Sequence, residues 1–255
     1  MYLLPLLYEP GISWSYGVGI DWAGQMVERV SGQSLNSYMT EHIWSPLGMN
    51  STTFRLRERP DIKNRRADMS MRTASGGVSP SPTRFFRDDA PDDSGGGGVF
   101  SCPGDYVKVL ISLLKNDGTL LKPSTTDILF SPCLPSGPTK ALRENRAAQY
   151  QNYRASKVGS EVVGGVVQPA KMNYALGGQV SEEDWPGGRK AGSMSWGGLP
   201  NLSWVIDRKA GIALLYCSQL LPPGDHGTRA AFERVESAAY RGELGNLGRQ
   251  DFEKH

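Results

Sequence analysis

The sequence has little that could cross-link it, bind a metal or attract a charged polymer. It contains three cysteines, far apart, and three histidines among 255 residues. An odd, scattered set of thiols argues against a disulfide framework and against a Cys-x-x-Cys metal or redox site, and it predicts ordinary thiols in a cytoplasmic protein. The 28 lysines and arginines nearly balance the 26 aspartates and glutamates, so a nucleic-acid or anionic-membrane partner is disfavoured.

Long apolar runs and metal-binding motifs are also missing. The apolar stretch at residues 1–8 contains Pro5, carries no basic residue and meets Glu9 at once, so we expect neither a signal peptide nor a membrane span. The sequence has no internal repeat, no His-Glu-x-x-His motif and no Gly-x-Ser-x-Gly motif. We therefore predict no metal, no cofactor and no membrane partner.

Helical patterns occupy the first half of the chain. Apolar residues recur every three or four positions from Ile20 to Val30, before Ser31-Gly32, which predicts a helix buried along one face. Ser34 is a suitable cap for a second helix. A third predicted helix begins near Pro103 and ends at residues 116–118, Asn-Asp-Gly.

Strand patterns follow the helices. Residues 55–91 and 132–165 lack a sustained period and are interpreted as excursions over the surface. Beyond them the period changes to two, which predicts a sheet. The candidate strands are residues 173–180, 192–194, 202–206 and 212–216, and a last helix is predicted over residues 228–240. Helices, an antiparallel sheet and a covering helix indicate an α+β fold.

A tyrosine in a glycine-rich loop is the first candidate for chemistry. Tyr16 lies in the segment Gly-Ile-Ser-Trp-Ser-Tyr-Gly-Val-Gly, just before the first predicted helix. A phenol held at such a place could move a proton. The alternative is a packed tyrosine whose hydroxyl bonds to the backbone.

Several motifs resemble, in the right order, the class C β-lactamase-related serine hydrolase superfamily. They are Tyr16-Gly17 with residues 20–24, residues 28–32, 41–49 and 95–106, and Trp196 to Asn201 with Trp204 and Asp207. Within that superfamily, the segment around Tyr16 and residues 219–225 are similar to fungal esterases and acyl-transferring transesterases. The resemblance covers most of the chain and implies a β-lactamase/transpeptidase-like fold in one domain, residues 1–255.

The resemblance also implies a reaction. It is acyl transfer through a serine acyl-enzyme, with small-molecule esters or acyl donors as substrates and an alcohol as a further acceptor. By position, Tyr16 matches the tyrosine that assists proton movement. Trp196, Gly197 and Gly198 match the strand that lines the cleft, and the amide of Leu199 would donate to the oxyanion.

Two positions depart from the family's pattern. Val18 replaces the asparagine of a Tyr-x-Asn element, and Trp196 stands where penicillin-binding relatives carry the lysine of Lys-Thr-Gly. The second change removes a cation that would grip a carboxylate. A β-lactam is therefore the less favoured substrate class.

The expected nucleophile is a further departure. The family places a Ser-x-x-Lys serine well before the tyrosine, and only 15 residues precede Tyr16. We therefore expect this domain to lack its N-terminal part and this chain alone to be inactive. One internal match, Ser112-Leu-Leu-Lys115, lies in the third predicted helix and is interpreted as structural. The alternative hypothesis is a non-catalytic relative whose cleft binds a ligand or a partner.

Overall fold

A computed structural model describes residues 5–82, 85–155 and 171–244. Its early helical elements are α1 (Gly19–Ser31), α2 (Leu35–Met39), a π-helical turn (Thr40–Trp44), a 3-10 turn (Leu56–Glu58) and α3 (Pro60–Lys63). Three more helices follow: α4 (Pro103–Lys115), α5 (Pro123–Leu129) and α6 (Ser136–Ala155). The last described helix is α7 (His226–Tyr240).

The strands form two sheets. In chain order they are β1 (Ser70–Arg72), β2 (Val78–Pro80), β3 (Met172–Ala175), β4 (Gly178–Ser181), β5 (Met194–Gly198), β6 (Leu202–Asp207), β7 (Ile212–Tyr216) and β8 (Leu220–Leu221). The larger sheet is antiparallel throughout, in the order β3-β4-β5-β6-β7. In the smaller sheet, β1 pairs antiparallel with β2 and parallel with β8. The predicted α+β fold is confirmed.

The larger sheet is covered on both faces, and neighbouring residues of β6 show how. Val205 packs with Phe232 of α7, whereas Ile206 packs with Leu110 of α4 and with Phe130 just after α5. Successive residues of a strand point to opposite faces. The sheet is therefore a central layer between α7 and the α4–α5 pair, and within it β5 pairs with β4 on one edge and with β6 on the other.

Local periodicity predicted several elements well. α1 is capped at its C-terminus by Gly32, which adopts the left-handed conformation with φ 70°, and α4 is capped by Asn116 with φ 51°. Such a residue commonly ends a helix. The antiparallel hairpin of β6 and β7 is also confirmed, with β7 at the predicted residues.

The prediction that α1 buries its apolar stripe is right only in part. Within the stripe, Ile20 and Val30 are exposed, whereas Gly24 is buried and Val27 is half-buried. A Cβ atom at Gly24 would lie 2.9 Å from a methyl carbon of Leu35. The helix thus approaches Leu35 through a residue without a side chain.

The interpretation of two stretches as surface excursions also needs correction. Residues 132–165 contain the 20-residue helix α6, although residues 156–165 lie outside the described part of the chain. Residues 55–91 contain α3 and the β1-β2 pair. The candidate strand 173–180 is two strands, β3 and β4, because Ala175 pairs with Gly178 across a two-residue turn.

A glycine-rich turn at residues 94–98 holds the start of α1. Asp21 accepts hydrogen bonds from Ser94 Oγ and, at 3.0 Å, from Gly96 N. A Cβ atom on Gly95 would lie 2.5 Å from the carbonyl oxygen of Ile20. Because α1 begins three residues after Tyr16, this close contact helps to determine where the tyrosine loop ends.

Replacing Gly95 by alanine should therefore destabilise the protein. The added methyl group meets backbone atoms, which cannot rotate away, and we expect the free energy of unfolding to fall by about 1–3 kcal/mol. The matched control is Gly97→Ala, because no atom lies within 4 Å of a Cβ there. Urea unfolding followed by tryptophan fluorescence should give a lower midpoint for Gly95→Ala only; equal midpoints for the two variants would contradict the close contact.

Candidate functional site

Four aromatic rings from three parts of the chain meet beside β5. Tyr16 stacks on Trp196, with 5.8 Å between ring centroids and 25° between planes. Tyr174 of β3 meets the Trp196 ring edge-on at 5.5 Å, and Trp14 lies 6.1 Å from Tyr174. Aromatic pairs favour such offset and edge-to-face arrangements. These four residues are called the aromatic cluster below.

The structure brings Tyr16 together with the strand that the resemblance assigns to substrate binding. Trp196 and Gly197 lie within β5, and Gly198 ends it. Leu199 begins the turn to β6 and is exposed. Tyr16 is 56% exposed, so a small molecule could reach its phenol. The chemical roles of these residues stay predictions.

Alternate residues hold the loop that carries Tyr16. The carbonyl oxygen of Ile12 passes Gly137 at the start of α6, where a Cβ atom would lie 3.0 Å from it. Two residues on, Trp14 contacts Tyr174, and two residues further Tyr16 contacts Trp196. The loop is thus held at three successive points, which face α6, β3 and β5 in turn.

Sequence reasoning missed Arg146, which lies against the aromatic cluster. Its guanidinium carbon is 5.4 Å from the ring centroid of Trp196, and the residue is 2% exposed. It lay in a stretch that was interpreted as a surface excursion. One signal was present: Thr139, Leu142 and Arg146 follow helical spacing, and all three are buried.

Burial shifts two ionisable groups of this site. It lowers the pKa of Arg146 to about 10, while the charges of Tyr174 and Tyr16 act in the opposite direction. Burial also raises the pKa of Tyr174 to about 12, against the effect of the nearby Arg146. At pH 7, Arg146 is therefore a cation and Tyr174 is neutral.

The turn that carries Leu199 is anchored by Asn201, which has a left-handed φ of 59°. The Asn201 side-chain amide nitrogen donates to the carbonyl oxygens of Leu220 at 2.7 Å and Pro222 at 2.9 Å. Its oxygen accepts from Gly224 N at 2.7 Å. Asparagine tolerates this backbone conformation better than most residues, and here both ends of its amide are used.

Asp225 extends the anchor to α7 and to the smaller sheet. Its carboxylate caps α7 by accepting from Thr228 N at 2.8 Å, and it accepts two bonds from the Arg72 guanidinium at 2.8 and 2.9 Å. Burial acts to raise the pKa of Asp225, but the hydrogen bonds from Arg72 and Thr228 outweigh it and hold that pKa below its usual value.

The internal Ser-x-x-Lys match serves a structural purpose. Ser112 is buried in α4 and donates to Asp117 Oδ1 at 2.8 Å, and the same oxygen accepts from Thr119 N at 2.9 Å. Lys115 is exposed in the last turn of the helix. The serine thus helps to end the helix, in agreement with its interpretation from the sequence.

The described residues offer few other sites for chemistry. Within residues 5–82, 85–155 and 171–244, no three His, Cys, Asp or Glu side chains lie close enough together to hold a metal ion. In the same ranges, no helix combines the length and hydrophobicity needed to cross a membrane. Cys102, Cys133 and Cys217 are free thiols, as the sequence predicts.

Comparisons with known proteins show which family the chain belongs to. A family model described as Beta-lactamase matches residues 1–239. Monacolin J acid methylbutanoyltransferase of Aspergillus terreus is 40% identical over 240 residues, which are 92% of this chain and 56% of that protein. Lovastatin esterase of Penicillium rubens is 36% identical over 227 residues, covering 88% of this chain and 55% of that protein.

A solved structure supports the same fold. A mutant of simvastatin synthase from Aspergillus terreus matches with a TM-score of 0.83 and 40% identity, covering 95% of this chain and 60% of that one. The predicted β-lactamase/transpeptidase-like fold is confirmed. The chain spans little more than half the length of the relatives it matches.

The Asp225 anchor predicts a pH-dependent loss of stability. A carboxyl whose pKa is lower in the folded than in the unfolded chain stabilises the fold above about pH 4, and this contribution is lost as the pH falls through the folded pKa. Asp225→Asn should lower the free energy of unfolding at pH 7 by about 1–3 kcal/mol, because a hydrogen-bonded charge pair is lost. It should also flatten the fall in stability below pH 4.

The control for this experiment is Asp89→Asn. Asp89 also pairs with an arginine, Arg87, but its side chain is 51% exposed, and such pairs contribute little to stability. Urea unfolding at several pH values should show the original profile in this variant. An Asp225→Asn protein with the original profile would show that the anchor is not needed.

Proposed function

Because the chain belongs to the beta-lactamase family, we propose that it is part of a serine acyltransferase or esterase that acts on small-molecule esters or acyl donors. The observation that carries this proposal is the stacking of Tyr16 on Trp196. It joins the proposed proton carrier to the proposed wall of the substrate cleft. The names of the relatives, a methylbutanoyltransferase and a lovastatin esterase, support both an alcohol and water as acyl acceptors.

In the proposed reaction, a serine oxygen attacks the carbonyl carbon of the ester. Its proton passes to the Tyr16 oxygen and then to the leaving alcohol, while the bond between carbonyl carbon and leaving oxygen breaks. Water or a second alcohol takes the acyl group by the reverse sequence. The amide of Leu199 would stabilise the oxyanion, and Trp196 to Gly198 would line the acyl group.

We propose that the nucleophilic serine lies outside residues 1–255, so that these residues form one domain without its N-terminal part. The burial of Ser112 and its bond to Asp117 support this, because a nucleophile must reach its substrate. The relatives are considerably longer than the segment that this chain matches. On this proposal the chain alone does not turn over an ester.

Removing the Tyr16 hydroxyl should abolish most of the activity. In the protein made from the longest reading frame that contains residues 1–255, Tyr16→Phe should lower kcat/KM for an activated ester by about 10²- to 10⁴-fold. The ring remains, so its stack on Trp196 and the melting temperature should be unchanged. Stopped-flow or steady-state ester hydrolysis measures the effect.

Two variants control this measurement. Tyr38→Phe removes the hydroxyl of a tyrosine that packs on His42 in the helical region, and Ser112→Ala removes the internal match to the nucleophile motif. Both should keep the original rate. A Ser112→Ala protein without activity would contradict the proposed position of the nucleophile, and a longer protein that binds esters without turning them over would favour the non-catalytic alternative.

A further inference from the structure

The site has a cation, although the sequence pattern indicated that it had lost one. By the family resemblance, Trp196 stands where penicillin-binding relatives carry a lysine, and the structure places the guanidinium of Arg146 over the Trp196 ring at 5.4 Å. The same guanidinium lies 5.9 Å from the ring centroid of Trp14. An arginine over an indole ring is attracted by the negative face of the ring, and more strongly when water is excluded.

The fold holds this guanidinium in one orientation. Arg146 Nη1 donates to Gln149 Oε1 at 2.9 Å. When the Gln179 amide oxygen faces the guanidinium, it accepts from Nε at 2.7 Å and also from Nη2. Gln179 belongs to β4 and is 1% exposed. A planar guanidinium bonded on two sides has little rotational freedom, so the ring contact is defined by the helix and the sheet together.

Tyr16 is the group on which the positive charge of Arg146 would act in the proposed reaction. The Trp196 ring contacts both Tyr16 and Arg146, so one indole ring joins the two side chains. An ordinary phenol is almost fully protonated at pH 7. A tyrosine that accepts a proton from a serine must first carry negative charge on its oxygen, which a nearby positive charge stabilises.

We propose that Arg146 is a positioning residue of this site: it holds the Trp196 ring against Tyr16 and places a positive charge beside this pair, which would stabilise negative charge in the proposed reaction. This inference rests on the proposed function for its second half. The first half concerns only the chain itself and can be tested without any turnover.

Fluorine NMR tests the first half. The protein would be labelled with 5-fluorotryptophan, and the Trp196 signal identified from its loss in Trp196→Phe. Arg146→Met should shift or broaden the Trp196 signal, whereas Arg146→Lys should move it less. The control is Lys140→Met, which removes an exposed cation paired with Glu144 on the same helix and should leave the signal in place. An unchanged Trp196 signal in a folded Arg146→Met protein would overturn the proposal.

Kinetics of the longer protein test the second half. With rates divided by the number of active sites from burst titration, Arg146→Met should lower kcat by about 10- to 100-fold, less than the loss of a direct oxyanion donor, and change KM little. Arg146→Lys should restore most of kcat because it keeps the charge. A purely structural role would reduce the number of active sites but not kcat for each site, and that result would overturn the electrostatic half.

The controls separate this inference from the proposed function. A wild-type protein that never turns over an ester refutes the proposed function, whereas the Trp196 signal still decides whether Arg146 positions the ring. If Arg146→Met does not fold, the Arg146→Lys protein is compared with the wild type. A folded Arg146→Lys protein that keeps the charge but loses kcat per active site by about 10-fold or more would show that charge is not what the site requires.

Discussion

The burial of Arg146 constrains the helix, the strands and the loop that pack around its side chain. A cation removed from water must be compensated by dipoles and polarisable groups, and here two glutamines and the rings of Trp14 and Trp196 surround the guanidinium. Those partners come from α6, from β4, from β5 and from the loop before α1. If any one of these elements moved, the guanidinium would be exposed to water or would lose a partner. The relative positions of the elements are therefore coupled.

Tyr16 occupies its place as a consequence of that coupling and of two further contacts. On the C-terminal side of Tyr16, α1 packs so closely against Gly95 that a side chain on this glycine would not fit. On the other side, the loop passes Gly137 and packs through Trp14. An exposed phenol is thus presented by a backbone fixed at both ends. Such preorganisation is what proton transfer in an active site requires.

The sequence predicted those elements whose local pattern agrees with their surroundings. α4 and the β6-β7 hairpin have apolar faces that pack against the core, and their periodicity was sufficient. α6 was missed because its buried face includes Thr139 and Arg146 rather than a full apolar stripe. β3 and β4 were merged because every residue of β4 is buried, so no alternation marks the turn. Tyr16 and the strand at Trp196 came from family resemblance; Arg146 came only from the three-dimensional contacts.

Peptide-level mass spectrometry after reaction with an activated acyl ester tests the central claim most directly. The protein would be made from the longest reading frame that contains residues 1–255, trapped during the burst and digested. The account predicts one acyl group on a serine outside residues 1–255 and an unmodified peptide containing Ser112. An acyl group on Ser112, or a protein that carries none, would contradict it.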